Sequence, residues 1–371
     1  MFSELDFRKD LLAWYDREQR QLPWRGPANP YATLVSELML QQTQVKTVIP
    51  YFERFLERFP TPKELAEAEE QEVLKLWQGL GYYRRARYLQ AAAQRIQEHH
   101  NGDFPGDKEA IDALPGVGAY TAAAVASIGF NLPHAVVDGN VIRVLSRLFA
   151  LEDDVAATAV KRDIQARAQK LLDTERPGDY NQALMELGAT RCSPRNPSCL
   201  TCPVSNYCSV RRKGLDPHVF PYKSKKIKPG KIAYRSLFLT TPGRFLLGQR
   251  PGSGLMASMW ELPAQEETAF RDWRHWFADA ITPIGRLEQP ILHRFTHLHA
   301  TYHIELYRVE KEPQWREGAP NSYQDFCWVD QETLGKMPLT KVLQKAIPAV
   351  GNFFKQENTS CPNTKSRLPG L

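Results

Sequence analysis

The chain contains no apolar run approaching the roughly eighteen residues a membrane-spanning helix needs. Its opening, MFSELDFRKDLLAWYDREQ, carries acids throughout where a secretion signal would need an apolar core. No membrane association is therefore expected, and a soluble, non-secreted protein is, cytoplasmic and nucleoid-associated if bacterial. No internal repeat is evident, which argues against a solenoid. Cysteine is scarce: six occur in 371 residues, and four of them fall within seventeen. A disulfide framework is out of place in a chain without a signal peptide, so this clustering points to a metal.

Length and a 42% hydrophobic content favour two or three domains with real cores. The net charge of +6 is unevenly placed, because residues 211–231 hold eight Lys/Arg against one Asp. That tract is punctuated by Pro and Gly, so it reads equally as a solvated tether or as a phosphate-contacting strap. Before it the pattern is helical. YATLVSELMLQQTQVKTVIPYFERFLERF is the longest run, with a kink or boundary expected at Pro50. TPKELAEAEEQEVLKLWQGLG starts with a Thr cap and stops at Gly79 and Gly81. After the tract, KIAYRSLFLTTPGRFLLGQRP reads as two strands joined at Pro242-Gly243, and HATYHIELYRVE as another. AFRDWRHWFADA reads as a helix. The expected organisation is a mainly helical region over 1–213, a basic linker over 214–230, an α+β domain over 231–355 and a disordered tail over 356–371.

LPGVGAYTAAAVASIGFNLPHAVVDGN (Leu114–Asn140) carries the most chemistry. Pro115 to Gly118 make a turn between a short helix and an Ala-rich one starting near Ala119. Gly116 and Gly118 can adopt positive φ there, and the backbone N–H groups that follow can seat a phosphate. An ordinary helical hairpin would look similar. Asp138 could be a helix N-cap, but Asn140 directly precedes the helix VIRVLSRLF and can supply that cap, leaving Asp138 for other work. Glu37, inside LVSELML, has Thr33, Leu34, Leu40 and Gln41 three and four residues away and so no helical ion-pair partner. Its apolar setting favours the protonated acid.

In this order, the hairpin, the aspartate and the cysteine loop resemble the helix-hairpin-helix superfamily of base-excision DNA glycosylases, and the whole chain resembles its adenine glycosylase family. SELMLQQTQV with Glu37 is similar to the adenine-pocket helix of that family. Tyr120, eighteen residues before Asp138, stands where strand-cleaving members carry a Schiff-base lysine. The resemblance implies a helix-hairpin-helix glycosylase region with a C-terminal Nudix-like domain, acting as a monomer on double-stranded DNA with adenine opposite 8-oxoguanine or guanine. It further implies Glu37 as the acid that protonates adenine N7 and Asp138 as the anion beside C1′, with Asn140 orienting Asp138 and Tyr120 bonding at the site. Leu80 and Tyr82 in GLGYYRRAR would supply a wedge, Gln42 would probe the opposite strand, and Arg20 and Arg25 would lie near the adenine pocket. The lesser alternatives are core packing for Tyr82 and a plain surface charge for either arginine.

Cys192, Cys199, Cys202 and Cys208 make C-x6-C-x2-C-x5-C. Spacing alone leaves the metal open, although a zinc ribbon normally shows two C-x2-C pairs and only one is present. The resemblance implies one 4Fe-4S cluster, structural in role, presenting residues such as Arg195 to phosphates. RFLLGQRPGSGLMASMWELPAQEE resembles the start of a Nudix fold, but no downstream R-E-x-x-E-E box follows, so recognition is expected there and not hydrolysis. Phe295, Thr296 and His297 stand where the family reads 8-oxoguanine with Phe-Ser-His. Cys327 and Cys361 lie apart from the loop and have no assigned role. The rival readings are a thymine-mismatch or oxidised-pyrimidine glycosylase, a non-catalytic lesion binder, and a nucleotide hydrolase working from the second domain.

Overall fold

The computed structural model describes residues 3–224, 229–277, 280–295, 297–310 and 323–359, with side chains in the last helix described to residue 351. The chain divides into two compact units, Met1–Ala68 with Arg85–Lys226, and Glu69–Arg84 with Ile227–Leu371.

Helices dominate the first unit. α1 (Glu4–Glu18) starts where Ser3 accepts the Asp6 N–H, and α2 (Pro30–Leu40) where Asn29 accepts that of Ala32. Eight of the eleven α2 residues, Glu37 among them, are buried. A helix apolar nearly all round is a core helix, and this is how a glutamate comes to be carried out of water. The boundary expected at Pro50 falls elsewhere. Gln42 takes a left-handed φ of 59° and separates α2 from α3 (Val45–Arg58), while Pro50 is absorbed inside α3. Buried Arg85 fixes that break. Its Nη1 donates to the carbonyls of Leu38, Met39 and Gln41 at 2.5–2.9 Å and its Nη2 to Thr43 Oγ1 at 3.2 Å, satisfying acceptors that a helix end leaves orphaned. α4 (Pro62–Glu67) has the expected Thr61 cap, but it ends at Ala68, and α5 (Glu70–Trp77) is a separate helix in the second unit.

α6 (Arg84–His100) leads to α7 (Lys108–Asp112), the hairpin and α8 (Ala119–Ala124), which continues as a π-helical turn over Val125–Gly129. Gly116 has the positive φ expected, 74°, and a Cβ there would lie 2.3 Å from Cβ of Tyr88, so the hairpin packs on α6 at a distance only glycine permits. Gly118 does not need that freedom: its φ is −106° and it opens α8 as an ordinary extended cap. α9 (Gly139–Phe149), α10 (Thr158–Leu171) and α11 (Pro177–Thr190) pack with α1 around Phe7, Leu11, Leu145, Tyr180 and Leu184. α12 (Ser209–Arg212) follows the cysteine loop. The linker begins later than expected. Arg147, buried on α9, donates to the carbonyls of Pro217 and Phe220, and the Val155 N–H donates to that of Tyr222, so the chain is fastened to this unit as far as residue 222.

The second unit is built on a mixed sheet. β1 (Gly230–Thr241) and β2 (Arg244–Gln249) form the hairpin expected at Pro242-Gly243. β3 (Trp260–Glu261) pairs with β2, and β4 (Ala264–Glu266) with β1. Among the described residues of the segment expected to be fully helical, α-helix is limited to a short α13 (Arg274–Phe277), because Asp272 caps it at Arg274 and the backbone before it is extended at Phe270. β5 (Thr282–Arg286) and β6 (Ile291–Arg294) flank β7 (Leu298–Arg308), which runs parallel to β1, and β8 (Asp325–Val329) pairs with β2. α14 (Gln331–Lys336) and α15 (Lys341–Thr359) close the unit. Helix therefore extends into the first residues of the expected tail; Cys361 and 360–371 lie outside the described residues.

Candidate active site

A cavity of about 610 Å³ in the first unit gathers Arg20, Arg25, Glu37, Gln42, Tyr120, Asp138 and Asn140. Glu37 is 6% exposed, and its Oε2 accepts the Tyr120 hydroxyl at 2.6 Å. Burial pushes its carboxyl up to about 7, the Tyr120 bond opposing the rise and the charge of Asp138 adding to it. At neutral pH a large share of Glu37 is thus the acid.

Asp138 is itself the N-cap of α9, contrary to expectation: its Oδ1 accepts the Val141 N–H at 2.7 Å. Gly139 enters the helix as its first residue, so Asn140 lies one position too late to cap and instead donates Nδ2 to Asp138 Oδ2 at 2.8 Å. Capping and function are compatible here. The two bonds aim the carboxylate into the cavity and favour its charged form, although burial outweighs them and leaves its pKa above the ordinary carboxylate value. Asn140 is held in turn. Arg143 Nη2 donates to its Oδ1 at 2.9 Å and to the Gly188 carbonyl at 2.8 Å, while Arg143 Nε donates to the Cys192 carbonyl at 2.8 Å. A Cβ on Gly188 would lie 2.6 Å from Cβ of Asn140, so α11 approaches α9 closely at this point.

A second buried glutamate lines the same cavity. Glu186, 1% exposed, receives Arg20 Nε and Nη2 at 2.7 Å and Arg25 Nη2 at 2.9 Å. Burial raises its pKa, but the two guanidinium bonds more than offset this and leave the carboxyl below its ordinary value. Two glutamates in one cavity are thereby driven apart, one towards the acid and one held as the anion. Glu186 was overlooked in the sequence although the test applied to Glu37 also selects it: Gln182, Ala183, Ala189 and Thr190 are its helical neighbours. Arg143 and Arg147 were overlooked as well, and their signal is two arginines four apart on the helix that Asp138 opens.

Cys192, Cys199, Cys202 and Cys208 line one cavity of about 290 Å³. Arg147 donates to Cys192 Sγ at 3.3 Å and to the carbonyls of Ser193 and Pro194. Burial, together with the neighbouring cysteines, pushes the Cys202 thiol up to about 11 and raises that of Cys208, so a thiolate at either position needs a cationic partner. Among the described residues no three His, Cys, Asp or Glu side chains converge on a point that would hold a single metal ion.

The remaining expected residues lie in the second unit. Leu80 is buried, so it does not present a wedge; Tyr82, with φ of 50°, is 48% exposed. The β6–β7 hairpin is closed by the Phe295 N–H donating to the Leu298 carbonyl at 2.7 Å, and the Phe295 ring meets His293 edge-on at 4.4 Å. His297 is exposed at the tip; Thr296 lies outside the described residues.

Residues 35–170 match the model of the HhH-GPD superfamily base excision DNA repair proteins, and 236–349 that of the NUDIX domain. The chain is 34% identical to the adenine DNA glycosylase of Homo sapiens, covering 98% of this chain and 79% of that protein. It is 38% identical to the adenine DNA glycosylase of Rattus norvegicus, covering 80% and 69%. Among solved structures a thermostable thymine-DNA glycosylase is similar, with 29% identity and a TM-score of 0.53 over 57% of this chain and 97% of that one. Among the described residues no helix is long and apolar enough to cross a membrane.

Proposed function

The chain belongs to the adenine DNA glycosylase family, and from that membership we propose that it hydrolyses adenine from pairs with 8-oxoguanine, and less selectively with guanine, leaving the strand intact. It is a DNA N-glycosylase of the base-excision superfamily. The observation that carries the finer reading is the meeting, in one cavity, of a buried carboxyl pushed up to about 7 and a second carboxylate oriented by a backbone N–H and Asn140.

Adenine must leave the stack to be reached, and a 610 Å³ cavity has room for a purine. Glu37 donates its proton to N7 as the glycosidic bond lengthens, and Tyr120 holds its other oxygen in position. Asp138 meets the positive charge developing on the sugar. Strand cleavage through an imine needs an amine beside C1′. Tyr120 offers none, and no lysine is among the described residues lining the cavity. Arg20 and Arg25, pinned to Glu186, set the polarity of the adenine pocket. The hairpin at Gly116 and Gly118 takes backbone phosphate, while Gln42 and Tyr82 engage the opposite strand in this reading. Phe295, Thr296 and His297 read 8-oxoguanine from the exposed hairpin of the second unit.

The four cysteines hold one 4Fe-4S cluster in this account. The C-x6-C-x2-C-x5-C spacing supports this over a zinc ribbon, which normally shows two C-x2-C pairs where this chain has one. The cluster would cross-link the loop that Arg143 and Arg147 tie to α9. The protein acts as a monomer in the cytoplasm or nucleoid on this view. The test is base release from duplexes carrying adenine opposite 8-oxoguanine, G, C and T, and thymine opposite G. Adenine release fastest opposite 8-oxoguanine, with strands intact until alkali is added, supports the proposal; thymine release instead contradicts it.

A further inference from the structure

A second chamber of about 430 Å³, also wholly within the first unit, adjoins the catalytic cavity. The two share Tyr120, Val137 and Ile142 as a common wall. Its floor is apolar, with Ala123, Ala135 and Ile164, and its rim carries Lys108 from the first position of α7 and Lys161 from α10. No aspartate or glutamate is among the described residues lining it. Neither ammonium has an ion pair or side-chain hydrogen bond among the described residues, whereas Lys63, Lys170 and Lys336 each meet a carboxylate within 4.0 Å. Ala119, where the hairpin enters α8, lies on the same wall as the lysines.

We propose that this chamber seats a backbone phosphodiester of the DNA strand whose adenine occupies the Glu37 cavity, with Lys108 and Lys161 as its countercharges. The inference rests on the glycosylase reading and adds two contact residues to it. Each strand of a duplex carries one phosphate per ~3.4 Å of axis. A strand delivering its sugar to Asp138 must therefore place phosphate within a short reach of Tyr120, the residue common to both cavities. Two ammoniums that have no ion pair among the described residues and line that chamber replace condensed counterions, and this favours binding without reading sequence. The apolar floor lowers the local dielectric and strengthens the attraction beyond that of a flat exposed surface.

The test is the salt dependence of binding by the full chain, in a Glu37→Gln background so that the duplex is not consumed. Log Kd is measured against log salt for duplexes carrying adenine opposite 8-oxoguanine and opposite guanine. Lys108→Ala and Lys161→Ala should each reduce the slope by about 1, and the double variant by about 2. Both duplexes should be affected alike, and Lys161→Arg should keep the parent slope because it keeps the charge. Parent slopes in both alanine variants would overturn the assignment. So would saturable calorimetric binding of inorganic phosphate or dAMP that the double variant loses while its DNA slope stays unchanged, since the chamber would then be a small-anion site. Failure of the glycosylase reading is distinguishable, because the protein with Glu37 intact would then release no adenine from either duplex, whatever the salt slopes of the lysine variants.

Discussion

Buried glutamates in the two units are treated differently: Glu261 of the second, like Glu186 of the first, is paired with arginine, and Glu37 is not. In the second unit Glu261, 2% exposed in the W-E-L-P stretch, faces Arg250 Nη1 at 2.6 Å and the Tyr323 hydroxyl at 2.9 Å. In the first, Glu37 is buried to a similar degree with a neutral hydroxyl and a second carboxylate for company, and it opens onto a cavity. A buried carboxylate with a cation is an architectural ion pair whose removal exposes an unpaired partner. One left without a cation is unfavourable as an anion, and that cost is useful where a proton must be given away near neutral pH. On the proposed function, the contrast marks Glu37 as the carboxyl placed for chemistry and Glu186 and Glu261 as ion-paired supports.

The largest effect should come from breaking the first half of that contrast. Glu37→Gln and Asp138→Asn should each lower single-turnover adenine release by roughly 10² to 10⁴ while leaving mismatch binding largely intact, measured by rapid quench and gel shift. Near-wild-type rates in either would remove the two-carboxylate mechanism. Next is the recognition half. A buried contact to the edge that distinguishes 8-oxoguanine from guanine is worth about 1–3 kcal/mol, so Phe295→Ala with His297→Ala should lower the preference for 8-oxoguanine about five- to a hundredfold. Rates opposite guanine should change much less; an undiminished preference would shift reading to Gln42 and Tyr82.

A smaller effect is thermodynamic. Because the Glu37 pKa is raised by folding, the protonated form stabilises the native state, and that stability is lost as pH climbs from the unfolded value of 4.5 through about 7. The cost of holding the anion above that range is on the order of 3 kcal/mol. Glu37→Gln should therefore raise Tm on the order of 5 °C at about pH 8 and by much less at about pH 5, read by calorimetry. A pH-independent difference would mean that Glu37 is not buried as an acid.

Much of the site is legible in the sequence, for reasons tied to particular residues. Glu37 stands out because its helical neighbours leave it no counterion, and the cysteine loop because four thiols crowd one short segment. The β1–β2 hairpin is marked by Pro242-Gly243. What was illegible is register and depth. Asp138, Gly139 and Asn140 are all good caps, and only the entry of Gly139 into α9 decides that Asp138 serves. Pro50 reads as a boundary because proline usually breaks helices, yet the break lies at Gln42, where Arg85 holds the Gln41 carbonyl from 44 residues away in sequence. Leu80 and Tyr82 are two apart in one loop, and nothing local says that the first is buried and the second exposed. Arg143 and Arg147 read as the polar face of an amphipathic helix, whereas both are spent on carbonyls of the cysteine loop.

The most direct test of the central claim is the pH dependence of single-turnover adenine release from a duplex with adenine opposite 8-oxoguanine, over about pH 5 to 9. Glu37 must be protonated to act, so the rate should fall as pH rises through about 7. Asp138 must be ionised, so the rate should also fall at the acid end, below a pKa that burial sets above the ordinary carboxylate value. A falling alkaline limb near 7 that disappears in Glu37→Gln is the predicted result; a rate that stays flat from about pH 6 to 9 would contradict the account.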